Sequence, residues 1–136
     1  MSPDASTRMF DILDETDENF VAIRVGRGTR RGYEDLYSLL ARRTAQYGTL
    51  RVYEEVPDWS FSTFLTHLHG IVPDLRYDSS FSIERYAAVG DSVWAKLLFE
   101  WWRAIHPVWP VAPDRMRYFD IADRTSAYRW LQEDTL

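Results

Sequence analysis

The sequence predicts an α/β fold: one sheet of five strands, mostly parallel, with the first strand antiparallel and four helices around it. Two patterns carry this prediction. Short apolar runs bounded by turn residues alternate with segments whose apolar positions recur at helical spacing. The 136 residues contain no internal repeat and no linker, so they make one domain, of a size that can bury most of its apolar surface in one core.

Residues 1–8 are small and polar and are expected to be a flexible tail, leaving 9–136 as the domain. Met9 to Leu13 and Phe20 to Val25 are two strands, and the short polar link from Asp14 to Asn19 suits a hairpin. Thr29 is placed to cap a first helix carrying Tyr33, Leu36, Tyr37, Leu40, Thr44 and Tyr47 on one stripe, with Gly48 as its stop. Leu50 to Val56 is the third strand. Phe61, Phe64, Leu65 and Leu68 stripe a second helix, with a break expected near Val72 because Pro73 follows.

Glu84 to Val89 is the fourth strand, and its run Tyr86-Ala87-Ala88-Val89 suits burial on both faces. Asp91 is expected to cap a third helix with Trp94, Leu97, Leu98, Trp101, Trp102 and Ile105 on one stripe and Phe99 off it. Met116 to Ile121 is the fifth strand. A last helix from about Asp123 to Glu133 buries Ala127, Trp130 and Leu131. The order is ββαβαβαβα, with right-handed crossovers.

Composition excludes several functions. The net charge of −5 is spread over both halves, which argues against nucleic acid as a partner. No cysteine is present, so disulfides, thiolate metal sites and Cys nucleophiles are excluded. The N-terminus lacks the apolar core of a signal peptide, and Lys96 and Glu100 interrupt the longest apolar stretch. A cytoplasmic location is expected.

Three segments resemble the SpoIIAA-like family, which is related to STAS domains and more distantly similar to CRAL-TRIO lipid-transfer domains. They are Ile83 to Trp94, with Val89-Gly90-Asp91 ahead of a Trp-containing helix; Met116 to Asp120 with the helix bearing Ala127, Trp130 and Leu131; and Thr29 to Leu36. The resemblance spans roughly residues 9–133 and implies a SpoIIAA-like superhelix of strands and helices. STAS-type anti-sigma-factor antagonists carry a phosphorylated Ser in an Asp-Ser pair after the third strand. The matching stretch, Val56 to Thr63, lacks that pair, so Ser60, Ser62 and Thr63 are not expected to form an obligatory switch.

The polar candidates have simple structural readings. His67 and His69 would diverge by about 200° on a helix, and His106 is distant, so no metal is expected. Gly26 to Gly32 lacks the endings of the phosphate-binding fingerprints. Arg30 and Arg31, in the first helical turn, are still the favoured place for an anion. Glu54 and Glu55 must point to opposite faces of their strand, so they cannot act together; such pairs are expected to be surface charge.

The aromatic residues are the informative feature, with Trp101, Trp102 and Trp109 clustered near the end of the third helix. Core, an apolar pocket or membrane-facing patch, and a protein interface all account for them. A cleft between the second and third helices, lined by Phe64, Leu68, Val72, Phe99, Trp101, Trp102, Ile105 and Trp109, is the candidate ligand site. The expected function is non-enzymatic binding of a small apolar or lipid-like ligand, without cofactor or catalytic residues. The alternative is a regulatory protein–protein module of STAS type. Partners are thus an apolar small molecule or a protein, with peripheral membrane contact and a homodimer left open.

Overall fold

In the computed structural model, residues 9–26, 28–57, 63, 81–105 and 113–133 are described. Their strands are β1 (Phe10–Ile12), β2 (Phe20–Val25), β3 (Leu50–Val56), β4 (Ile83–Gly90) and β5 (Arg115–Asp120). They form one five-stranded sheet in sequential order, β1-β2-β3-β4-β5. β1 is antiparallel to β2, and the other three pairings are parallel. Three α-helices are present among the described residues, against the four expected: α1 (Arg30–Tyr47), α2 (Val93–Ile105) and α3 (Arg124–Gln132). The stretch expected to form the additional helix, from Phe61 onward, lies outside the described residues except Thr63.

Local chemistry explains the ends of α1. Thr29 Oγ1 accepts from Gly32 N–H at 2.9 Å, and Gly48 closes the helix at φ 88°, which only glycine adopts without cost. Gly32 is required for a second reason. A Cβ there would collide with the Cβ of Met9, so glycine lets the first turn lie against the start of β1.

At α2 the cap is Ser92, not Asp91 as expected from sequence. Ser92 Oγ accepts from Ala95 N–H at 3.2 Å, and the helix begins at Val93. Both residue types cap well. The strand runs through Gly90, which leaves Ser92 in the capping position.

The buried stripe of α2 also differs from the expected one. Ala95, Leu98, Phe99 and Trp102 are buried at i, i+3, i+4 and i+7, while Leu97 and Trp101 face outward. Phe99 therefore belongs to the core. Apolar residues cover more than one stripe of the helix, with Lys96, Glu100 and Arg103 on the remaining side. Two apolar stripes therefore compete in the sequence, and sheet packing selects one.

Both α1 and α2 pack on one sheet face, over Val21, Ile23 and Val25 of β2, Val52 and Val56 of β3, and Tyr86 and Ala88 of β4. The connections β2–α1–β3 and β4–α2–β5 step across the sheet in the same direction. Crossovers of one hand then place both helices on one face. After β5 a short 3-10 turn (Ile121–Asp123) redirects the chain, and α3 covers the opposite face. Ala127 and Leu131 of α3 are buried against Ala22, Tyr53, Ala87, Val89 and Phe119. Alanines at positions 22 and 87 let a single short helix approach closely. Trp130 is only half-buried.

The C-terminal end of α3 lies over the starts of β3 and β4, where Arg51 and Arg85 stand in register. Arg51 donates to the carbonyls of Leu131 and Glu133, both at 2.6 Å, and Arg85 donates to that of Trp130 at 2.5 Å. Helix ends leave carbonyls without intrahelical donors and carry partial negative charge, so guanidinium groups suit them. Arg51 also pairs with Glu84 at 3.1 Å.

These contacts set the expected cost of two substitutions. Arg51→Ala should lower unfolding free energy by about 2–4 kcal/mol, since charge-assisted hydrogen bonds contribute about 1.5–3 kcal/mol each; urea unfolding measures it. In the same assay Ser92→Ala should cost about 0.5–2 kcal/mol, and more than Asp91→Ala. A larger loss for the aspartate would return the cap to that residue.

Candidate functional site

Consecutive residues of a strand point to opposite faces, and in β3 the two faces receive Glu54 and Glu55 separately. Neither is surface charge, in contrast to the expectation from sequence: Glu54 is 6% exposed and Glu55 3%. The reason is tertiary. β3 is the middle strand, α1 and α2 cover one of its faces, and α3 covers the other.

On the α3 face, Glu55 is matched by charge. Its Oε2 accepts from Arg24 Nε at 2.7 Å, and Arg124 comes within 3.6 Å of Oε1. The Tyr53 hydroxyl donates to Oε1 at 3.1 Å, and its ring stacks on Tyr128 at 4.1 Å. Burial, with Glu55 adding to it, raises the Tyr53 phenol far above its ordinary range, so it remains a donor. Burial also pushes the Tyr128 phenol up to about 12, helped by nearby Glu15. This is a satisfied structural cluster.

The Glu54 face is different. Its in-register neighbours are Ile23 on β2 and Ala88 on β4, neither of which carries charge. Oε2 accepts from the Tyr86 hydroxyl at 2.6 Å. Oε1 has no hydrogen-bond partner among the described residues. Burial raises the carboxyl to about 7 from an ordinary 4.5, against the opposing pull of the Tyr86 hydrogen bond. Burial likewise holds the Tyr86 phenol well above 10, so it donates throughout the physiological range.

Glu54 and Tyr86 line a partly open cavity of about 40 Å³ between the sheet and the helices. Its other described lining residues are apolar or aromatic. Val52 and Ile23 come from the sheet, Tyr33, Leu36 and Tyr37 from α1, Trp102 from α2, and Phe81 from just before β4. Tyr37 stacks on Phe81 at 5.2 Å, and Tyr86 meets Trp102 edge-on at 6.2 Å. The cavity has room for about three water molecules, at roughly 10–15 Å³ for each.

Of the residues expected to line a ligand cleft, Trp102 lines this cavity. Phe99 is buried in the core beside Tyr118, with ring centroids 5.8 Å apart. Trp101 is exposed on the outer side of α2. Phe64, Leu68, Val72 and Trp109 lie outside the described residues, as does the side chain of Ile105. Arg31 is exposed on a groove it shares with Asp11 and Asp35, whose carboxylates oppose an anion there; the side chain of Arg30 is outside the described set.

No three His, Asp or Glu side chains gather as a metal site among the described residues. His67, His69 and His106 lie outside them, as do Ser60 and Ser62. No helix among the described residues is long and apolar enough to cross a membrane.

Sequence reasoning missed Glu54. The usable signal was its place in a strand whose neighbours in chain order, β2 and β4, are both strongly apolar. Such a strand lies mid-sheet, and a carboxylate there is buried on whichever face it occupies.

A mostly parallel sheet covered by helices on both faces defines an α/β domain. The family described as SpoIIAA-like matches residues 20–132, and the chain belongs to that family. No curated protein and no solved structure matches it.

The raised Glu54 carboxyl fixes the sign of a pH effect. The folded state holds its proton more tightly than the unfolded state does. Stability from this group is complete below about 4.5 and is lost as pH rises through about 7. Glu54→Gln cannot ionise. It should therefore be more stable than the parent at pH 8, by up to about 3 kcal/mol, because each tenfold difference in proton affinity is worth about 1.4 kcal/mol. The difference should vanish near pH 4.5, as followed by urea unfolding at several pH values.

Proposed function

We propose that this domain is a non-enzymatic binding module whose ligand is a small, largely apolar molecule seated between the sheet and the helices α1 and α2. One observation carries the reading: an aromatic-walled cavity with a single carboxyl–phenol pair, Glu54 and Tyr86. Ligand sites are commonly apolar concavities with a few placed polar groups. The cavity's volume favours a molecule of few heavy atoms, or one end of a larger one, over a whole acyl chain. Among the described members of the predicted aromatic set, Trp102 contributes to the wall.

Native mass spectrometry of freshly purified protein should show a bound small molecule, and n-butanol should raise the melting temperature as occupancy increases. Val52→Phe, which fills the cavity from the sheet side, should abolish both effects. A melting temperature insensitive to n-butanol, together with a ligand-free mass spectrum, removes this reading.

A second reading, a regulatory protein–protein module, is favoured by a separate observation. Val93, Leu97 and Trp101, at i, i+4 and i+8 on α2, are 69%, 46% and 38% exposed and form an apolar ridge on the outer side of the helix. Such ridges commonly mark contact with partners. Joint replacement of Leu97 and Trp101 by Lys should abolish binding of a purified partner that the parent binds, with n-butanol binding intact. Equal partner binding by both proteins counts against the ridge.

A further inference from the structure

Electrostatics inside the cavity narrows the ligand's chemistry. Among its described lining residues none is basic, and Glu54 is the one carboxylic acid. Among the described residues, the titratable groups that line the cavity with Glu54 are phenols: Tyr33 and Tyr37 from α1 and Tyr86 from β4. The lining supplied by α2, β2 and β5 is Trp102, Ile23, Val25 and Met116. An anionic ligand, a fatty acid included, would bring a second carboxylate beside Glu54 with no cation among the described lining residues to offset it. Two carboxylates in one apolar space disfavour each other strongly.

A cation meets the opposite situation. One Glu54 oxygen is held by Tyr86 at 2.6 Å, while the other has no hydrogen-bond partner among the described residues. Five aromatic rings, of Tyr33, Tyr37, Phe81, Tyr86 and Trp102, line the same space. Aromatic walls attract ammonium groups through their ring quadrupoles, most strongly where water is excluded. An ammonium donates hydrogen bonds and accepts none, which matches a site that offers a carboxylate oxygen.

We propose that the cavity is a receptor for a short alkylammonium group, its charged end on Glu54 and its alkyl chain among the aromatic rings. The inference rests on the cavity being a ligand site and goes beyond it by assigning the charge of the ligand. Tyr86 acts as a positioning residue, fixing the carboxyl so that Oε1 is presented to the ligand. Binding is coupled to a proton. An ammonium stabilises ionised Glu54, so the carboxyl gives up its proton as the ligand enters.

The test compares three four-carbon probes on the full chain at pH 8: n-butylammonium chloride, n-butanol and sodium butyrate. Melting temperature and the chemical shift of the Trp102 indole N–H report binding. Butylammonium should bind at least tenfold more tightly than butanol, and butyrate should not bind. Glu54→Gln should remove the advantage of butylammonium and keep the binding of butanol, which also shows that the variant retains its cavity. In the parent, butylammonium affinity should fall about tenfold from pH 8 to pH 6 as Glu54 takes up its proton, and butanol affinity should not fall.

Butylammonium binding no tighter than butanol overturns the proposal and leaves the cavity reading standing. So does an affinity unchanged between pH 8 and pH 6. If none of the probes binds, both readings fail together. Should Glu54→Gln not fold, the pH comparison on the parent chain decides the matter.

Discussion

The structure is organised around the burial of two adjacent carboxylates on opposite faces of its middle strand. Removing one ionised carboxylate from water costs several kcal/mol, and β3 removes two. Each face resolves the cost in its own way. Glu55 is compensated by charge, with Arg24 and Arg124 within 2.7 Å and 3.6 Å of its oxygens. Glu54 has no such partner among the described residues. Its cost is met by holding a proton to about pH 7 and by the Tyr86 hydroxyl. The first solution makes a structural cluster; the second leaves a titratable carboxyl beside a cavity.

Burying Glu55 requires that the second sheet face be closed, and one nine-residue helix closes it. α3 is short for that task, and its packing residues are few. Its anchoring depends on the arginines that receive its last carbonyls, Arg51 and Arg85, which stand side by side at the start of the two central strands. Arg85 also lies over the Trp130 ring at 5.3 Å. The same helix brings Tyr128 onto Tyr53. Sheet, helix and ion pairs on this face therefore depend on one another, and the cavity lies elsewhere, on the face covered by α1 and α2.

α2 serves that other face in two ways. Its inner stripe closes the cavity through Trp102 and fills the core through Leu98 and Phe99. Its outer stripe leaves Val93, Leu97 and Trp101 in water. Beside that outer stripe, Lys96, Glu100 and Arg103 form an exposed polar one. The same short helix thus bears on both functional readings.

Much of the fold was legible because it is written in local chemistry. The bounds of β2 and β3, the Thr29 and Gly48 caps and the two-faced burial of β4 all follow from residue type and spacing. The choice between Asp91 and Ser92 as cap, and between two apolar stripes on α2, was not legible, since local propensity is equal and packing decides. The candidate site was hidden for the same reason at larger scale. By itself the sequence determined that Glu54 and Glu55 point opposite ways, because strand alternation is a property of the backbone. Only the tertiary structure decided that both are buried, that Glu55 meets arginines and that Glu54 meets a phenol and a cavity. Those partners come from β2, β4, α1, α2 and the helix beyond β5, and their distance along the chain carries no periodic signal.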